Sequence, residues 1–133
     1  DSYAKSCALV RTEKNYSIQL RMSHGHIFDF REFFHFADQY LKGGVPMPVI
    51  SRPELKDGQL TAQVKATTKL VSARLHFTTG PHAQNKTRPW AMRELSIEKN
   101  LIQGEGPPEE ATVWYVDLTD ERKVLVSSEV IAK

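Results

Sequence analysis

The sequence predicts an α+β chain in two parts: a helix-strand-helix segment over 1–46, then an antiparallel β-sandwich of immunoglobulin or fibronectin type over 47–133. Three observations carry this expectation. Phe30, Phe33, Phe34, Ala37 and Leu41 recur every three or four residues, the period of a one-sided helix. From Leu60 onward the apolar period drops to two, as in half-buried strands. Between the patterns lie Gly43-Gly44 and then Pro46, Pro48 and Pro53, which break regular structure.

Taken in order, Tyr3, Cys7 and Val10 share one face of a helix over residues 2–10, and Thr12 to Asn15 is a polar turn. Ile18, Leu20 and Met22 alternate with Gln19 and Arg21 as a strand over 17–22. For the second helix, Asp29 is the expected cap, with Glu32 reaching back to complete a capping box and Phe28 stapling onto Phe33. Lys42 suits its negative end and Gly43 a left-handed stop. A single strand leaves both ladders of backbone groups unpaired, so this α/β unit requires a sheet from elsewhere, which the Phe-rich face would cover.

In the second part, Lys56-Asp57-Gly58-Gln59 is a turn. Strands are expected at Leu60–Ala66, at Val71–Phe77, around Leu95 and Ile97, at Trp114–Leu118, and at Val124–Val126 after a turn through Thr119 to Arg122. Gly104 to Glu110 reads as a polar loop, and Trp90 and Trp114 read as core packing, Trp90 being the more open of the two.

Composition narrows the function classes. The chain has 133 residues, 40% hydrophobic and 26% charged, with a net charge of +2 and the two signs mixed throughout. That balance fits a globular domain and argues against nucleic-acid or membrane partners. The single cysteine, Cys7, permits no internal disulfide and reads as a packed thiol. A start at Asp1 without a signal sequence suggests a processed product or a piece of a longer chain.

The densest chemistry is Ser23-His24-Gly25-His26, in the turn between a strand's carboxyl end and a helix. Ligands and catalytic groups collect at that edge of open α/β sheets. An imidazole on such a turn can act as general base toward a hydroxyl. His24, directly after the strand, fits best, with His26 second. Surface or capping roles are the plain alternative. The His-x-His spacing also suits a metal if His35, His82 or a carboxylate completes the set. His35 itself, near the apolar helix face, reads as packing.

Strand, Ser23-His24-Gly25-His26 and a Phe-rich helix ending in Leu41-Lys42-Gly43-Gly44-Val45-Pro46 resemble the last strand, catalytic-histidine loop and final helix of α/β-hydrolase serine esterases and peptidases. The likeness is to bacterial hydrolases of the acetyl-xylan-esterase and prolyl-oligopeptidase type. Leu75-His76-Phe77-Thr78-Thr79-Gly80, Arg88-Pro89-Trp90 and the run from Ala111 through Glu129 look like the β-sandwich appended to some of them. The resemblance implies acyl transfer with His24 or His26 as base, no cofactor, a carbohydrate or peptide substrate, an extracytoplasmic setting, and the rest of the parent hydrolase as partner. Gly-x-Ser-x-Gly, which bears the nucleophile, occurs nowhere in the chain. The implied role is therefore a C-terminal portion that carries the base and is inactive alone. Asp1 reads as a helix cap, with the triad acid upstream. A sandwich module that binds glycans or proteins without catalysis is the competing expectation.

Overall fold

The computed structural model describes residues 9–20, 30–80 and 88–132. Among them are one helix, α1 (Arg31–Leu41), and nine strands: β1 (Val49–Ile50), β2 (Glu54–Lys56), β3 (Gln59–Lys65), β4 (Leu70–Thr78), β5 (Ala91–Glu98), β6 (Leu101–Glu105), β7 (Val113–Asp120), β8 (Leu125–Ser127) and β9 (Ile131–Ala132).

The strands form one antiparallel path, β1-β3-β6-β5-β4-β7-β8, with β2 also on β3 and β9 also on β7. The path curls until β1 lies against β8, giving a nearly closed barrel. This corrects the expected α/β-hydrolase segment followed by an immunoglobulin- or fibronectin-like sandwich: there is one curled sheet rather than two facing ones. The corner is made by β5, which pairs β4 through Ala91–Leu95 and β6 through Ser96–Glu98. Alternating burial is common to barrels and sandwiches, so periodicity alone does not separate them.

Local chemistry explains the hairpins and faces. Asp57 and Gly58 both take positive φ, at 50° and 75°, and join β2 to β3 in the two-residue turn that suits strand twist. Leu60, Ala62 and Val64 of β3 point inward while Gln59, Gln63 and Lys65 are exposed. Ala73 and Leu75 of β4, Leu95, Ile102, and Trp114, Val116 and Leu118 of β7 complete one core with Val124 and Val126. Met47 and Ile50 are its first members in chain order. Val71, expected inside, is 60% exposed because the β4–β7 register shifts between Leu70 and Ser72. Leu101–Glu105, partly assigned to a polar loop from sequence, is a strand held between β3 and β5.

The first part also departs from expectation. Residues 17–20 form no strand; instead Tyr16 makes an isolated bridge to Ser127, whose hydroxyl accepts from the Ile18 amide at 3.0 Å. The expected helix over 2–10 and residues 21–22 of the strand lie largely outside the described residues. Helix α1 forms where its periodicity places it and stops at Gly43, whose φ is +63°. Its N-cap is Phe30, without a side-chain cap. Asp29, and with it the expected capping box, lies outside the described residues; the Glu32 carboxylate accepts from the Leu125 amide at 2.8 Å. No residue of α1 is buried.

Candidate functional site

His24 and His26, the candidate bases, lie outside the described residues, as do His82, Cys7 and Asp1. His35 sits half-buried on α1. Among the described residues no group of three or more His, Cys, Asp or Glu side chains could hold a metal ion, and no helix is long and apolar enough to cross a membrane.

What the structure does place is the helix α1 that follows Ser23-His24-Gly25-His26 in the sequence. Its two ends are tied to the β7–β8 hairpin. Asp120, fully buried at the end of β7, accepts at Oδ2 from Arg122 Nε at 2.8 Å and from Thr68 Oγ1 at 2.9 Å, and at Oδ1 from the Arg122 amide at 2.9 Å. Burial would raise the Asp120 pKa, but bonds from Arg122, Thr68 and the Val124 amide outweigh it and hold the group below its ordinary value. The guanidinium, fixed by that carboxylate, donates onward to the Val45 carbonyl at 3.0 Å and the Pro46 carbonyl at 3.1 Å, just past the end of α1. At the other end, Arg31 Nη1 donates to the Arg122 carbonyl at 3.1 Å, beside the Glu32 contact with Leu125. Planar, forked geometry lets one arginine serve a carboxylate and two carbonyls together.

A second polar assembly covers the outer face of β4 and β7. Strand register sets Arg74 opposite Asp117 and His76 opposite Tyr115. Asp117 accepts from Arg74 Nε at 3.0 Å and Nη2 at 3.1 Å, and its Oδ2 lies 2.6 Å from His76 Nε2. The hydrogen bond to Asp117 raises the Arg74 pKa against the cost of burial. The His76 ring stacks on Tyr115 at 4.9 Å, and Trp90 meets Tyr115 edge-on at 5.6 Å. Burial, then the nearby Asp117 charge, pushes the Tyr115 phenol far up. An imidazole held by a buried carboxylate is half of a proton relay. Here, however, the outer nitrogen, Nε2, which a relay aims at the nucleophile, is spent on the carboxylate, and one ring face is covered. The assembly thus satisfies a buried charge on a sheet face. Trp114 faces the core, as expected, whereas Trp90 is half-buried.

Between α1, the residues before β1 and the end of β3 lies a cleft of about 400 Å3. Four of its polar side chains, Glu13, Asn15, Gln39 and Tyr40, are already engaged. Tyr40 Oη donates to Glu13 at 2.7 Å, Gln39 Oε1 accepts from the Met47 amide at 3.0 Å, and Asn15 Nδ2 donates to the Pro48 carbonyl at 3.1 Å. The first of these bonds raises the Tyr40 pKa.

Sequence reasoning singled out His24 and His26, which lie outside the described residues, and passed over Arg122, which it read only as a turn residue. No local pattern marks a guanidinium that reaches residues 45 and 46. Comparison with known proteins returns no matching family model, no matching curated protein and no matching solved structure.

Proposed function

We propose that this chain works as the C-terminal accessory portion of a serine hydrolase acting on ester or peptide bonds, its barrel bracing the helix that follows a catalytic-histidine turn. The orientation of α1 is the observation that supports this most. The barrel grips the helix through Arg31, Glu32 and Gln39, while Phe33 and Phe34, 61% and 54% exposed, and Leu41, 81% exposed, face away from it. Burying such side chains is worth about 1.5–3 kcal/mol each, so a soluble chain that presents them together is made to cover something else. A catalytic body that receives this face accounts for it. The likeness of Ser23-His24-Gly25-His26 and the Phe-rich stretch after it to a catalytic-histidine loop and final helix is what suggests a serine hydrolase as that body.

Within that reading, a serine hydroxyl supplied by the catalytic body attacks the substrate carbonyl carbon. Its proton passes to His24 or His26, which returns it to the departing alcohol or amine. Water repeats the cycle on the acyl-enzyme. Backbone amides of the catalytic body would hold the oxyanion.

The test offers 4-nitrophenyl acetate to the complete translated product that contains this chain, to its His24→Ala and His26→Ala variants, and to this chain alone. The expected result is turnover by the complete product, a drop of about a thousandfold in kcat for one of the two variants, and none from the isolated chain. A complete product that lacks Gly-x-Ser-x-Gly, or one whose turnover neither substitution touches, overturns the reading.

A further inference from the structure

We infer that the β7–β8 hairpin is the positioning element for α1, with Arg122 and the Leu125 amide as its two grips, so that the barrel sets where the helix is held. Four contacts make the connection. Arg122 donates to the carbonyls of Val45 and Pro46 beyond the helix's C-terminus, the Arg122 carbonyl receives Arg31, and the Leu125 amide meets Glu32 in the first helical turn. Contacts at both ends fix a direction, which a contact at one end would not.

The grip is itself anchored. The Asp120 carboxylate that holds Arg122 is buried among Thr68, the Val124 amide and the Arg122 amide, all within the β4 approach and the hairpin. The helix contributes no buried residue, so these polar contacts rather than a shared apolar core carry the attachment. Hydrogen bonds of this kind have narrow distance and angle ranges and therefore specify orientation more sharply than apolar contact does. Arg122 is thus a positioning residue; its catalytic consequence rests on the hydrolase reading above, while the attachment of α1 does not.

Amide hydrogen exchange on this chain tests the attachment. In Arg122→Ala and in Glu32→Ala, amides of α1 should exchange about tenfold faster or more, with those of β3 and β7 unchanged. Glu32→Ala leaves the Asp120–Arg122 pair intact, so it decides the matter if Arg122→Ala loosens the whole barrel. Wild-type α1 amides that exchange at the unstructured rate, or protection unchanged in both variants, overturn the inference. In the complete product the same substitutions should lower kcat about tenfold with KM within about twofold, because geometry rather than substrate binding is disturbed. Altered exchange with unaltered kcat refutes the catalytic consequence. A wild-type product without turnover refutes the hydrolase reading and leaves the attachment to be judged by exchange.

Discussion

Glu32 and Leu125 stand 93 positions apart, and the carboxylate of one accepts the amide hydrogen of the other at 2.8 Å. That bond draws a polar side of α1 onto the barrel, and the phenyl rings of Phe33 and Phe34, edge to face at 5.7 Å, are left outward.

The isolated chain should therefore bind an apolar dye such as anilinonaphthalene sulfonate, and Phe33→Gln with Phe34→Gln should remove most of the fluorescence while leaving the melting temperature within a few degrees. The residues lie outside the core, so the paired change tests exposure rather than folding. Fluorescence equal to wild type would show that the dye reads some other surface.

Asp120 gives a pH dependence with a definite sign. Its folded pKa is held below the unfolded value of ~3.9, so the stability it contributes is complete above that value and is lost as pH falls through the lower, folded one. Asp120→Asn should cost about 2–3 kcal/mol near neutral pH, because Arg122 loses its counter-charge, and should flatten the acid limb of the stability curve. Urea unfolding at several pH values measures both effects; an acid limb identical to wild type would place the titration elsewhere.

Core and bulge positions on neighbouring strands should respond oppositely. Leu118→Ala removes a fully buried side chain from the middle of the core and should cost about 3–4 kcal/mol. Val71→Ala, at a position the register shift turns outward, should stay within about 0.5 kcal/mol. Comparable losses at the two sites would contradict the β4–β7 register.

Asp117 and His76 can be separated by substitution. Asp117→Ala strips the acceptor from both Arg74 and His76 and should cost about 3 kcal/mol. His76→Phe preserves the ring stacked on Tyr115 and leaves Arg74 on the carboxylate, so about 1–2 kcal/mol is expected. Chemical denaturation of the two variants checks the order; a larger loss in the second would mean that the imidazole, and not the guanidinium, is the main support of Asp117.

Sequence periodicity made β3 and β7 legible because Leu60, Ala62 and Val64, and Trp114, Val116 and Leu118, alternate within a few residues of one another. Gln103, Gly104 and Glu105 carry no such pattern, and they are strand because β3 lies on one side, extended on the other by β5 at Gln103. Barrel against sandwich was likewise undecidable locally, since it depends on which strands β5 joins. Glu32 shows the same limit in the helix: nothing in the residues around it points to its bond with Leu125, 93 positions away. Of the candidate site, the chain exposed His24 and His26 as chemistry, but the hairpin that grips the helix after them became visible only in three dimensions.

A divided strand carries a last consequence. Because β5 gives its first half to β4 and its second to β6, fraying there releases partners on both flanks together. Neither flank retains a closed wall once that seam opens, and the two should melt as one all-or-none event, with near-ultraviolet and far-ultraviolet dichroism lost at a common midpoint.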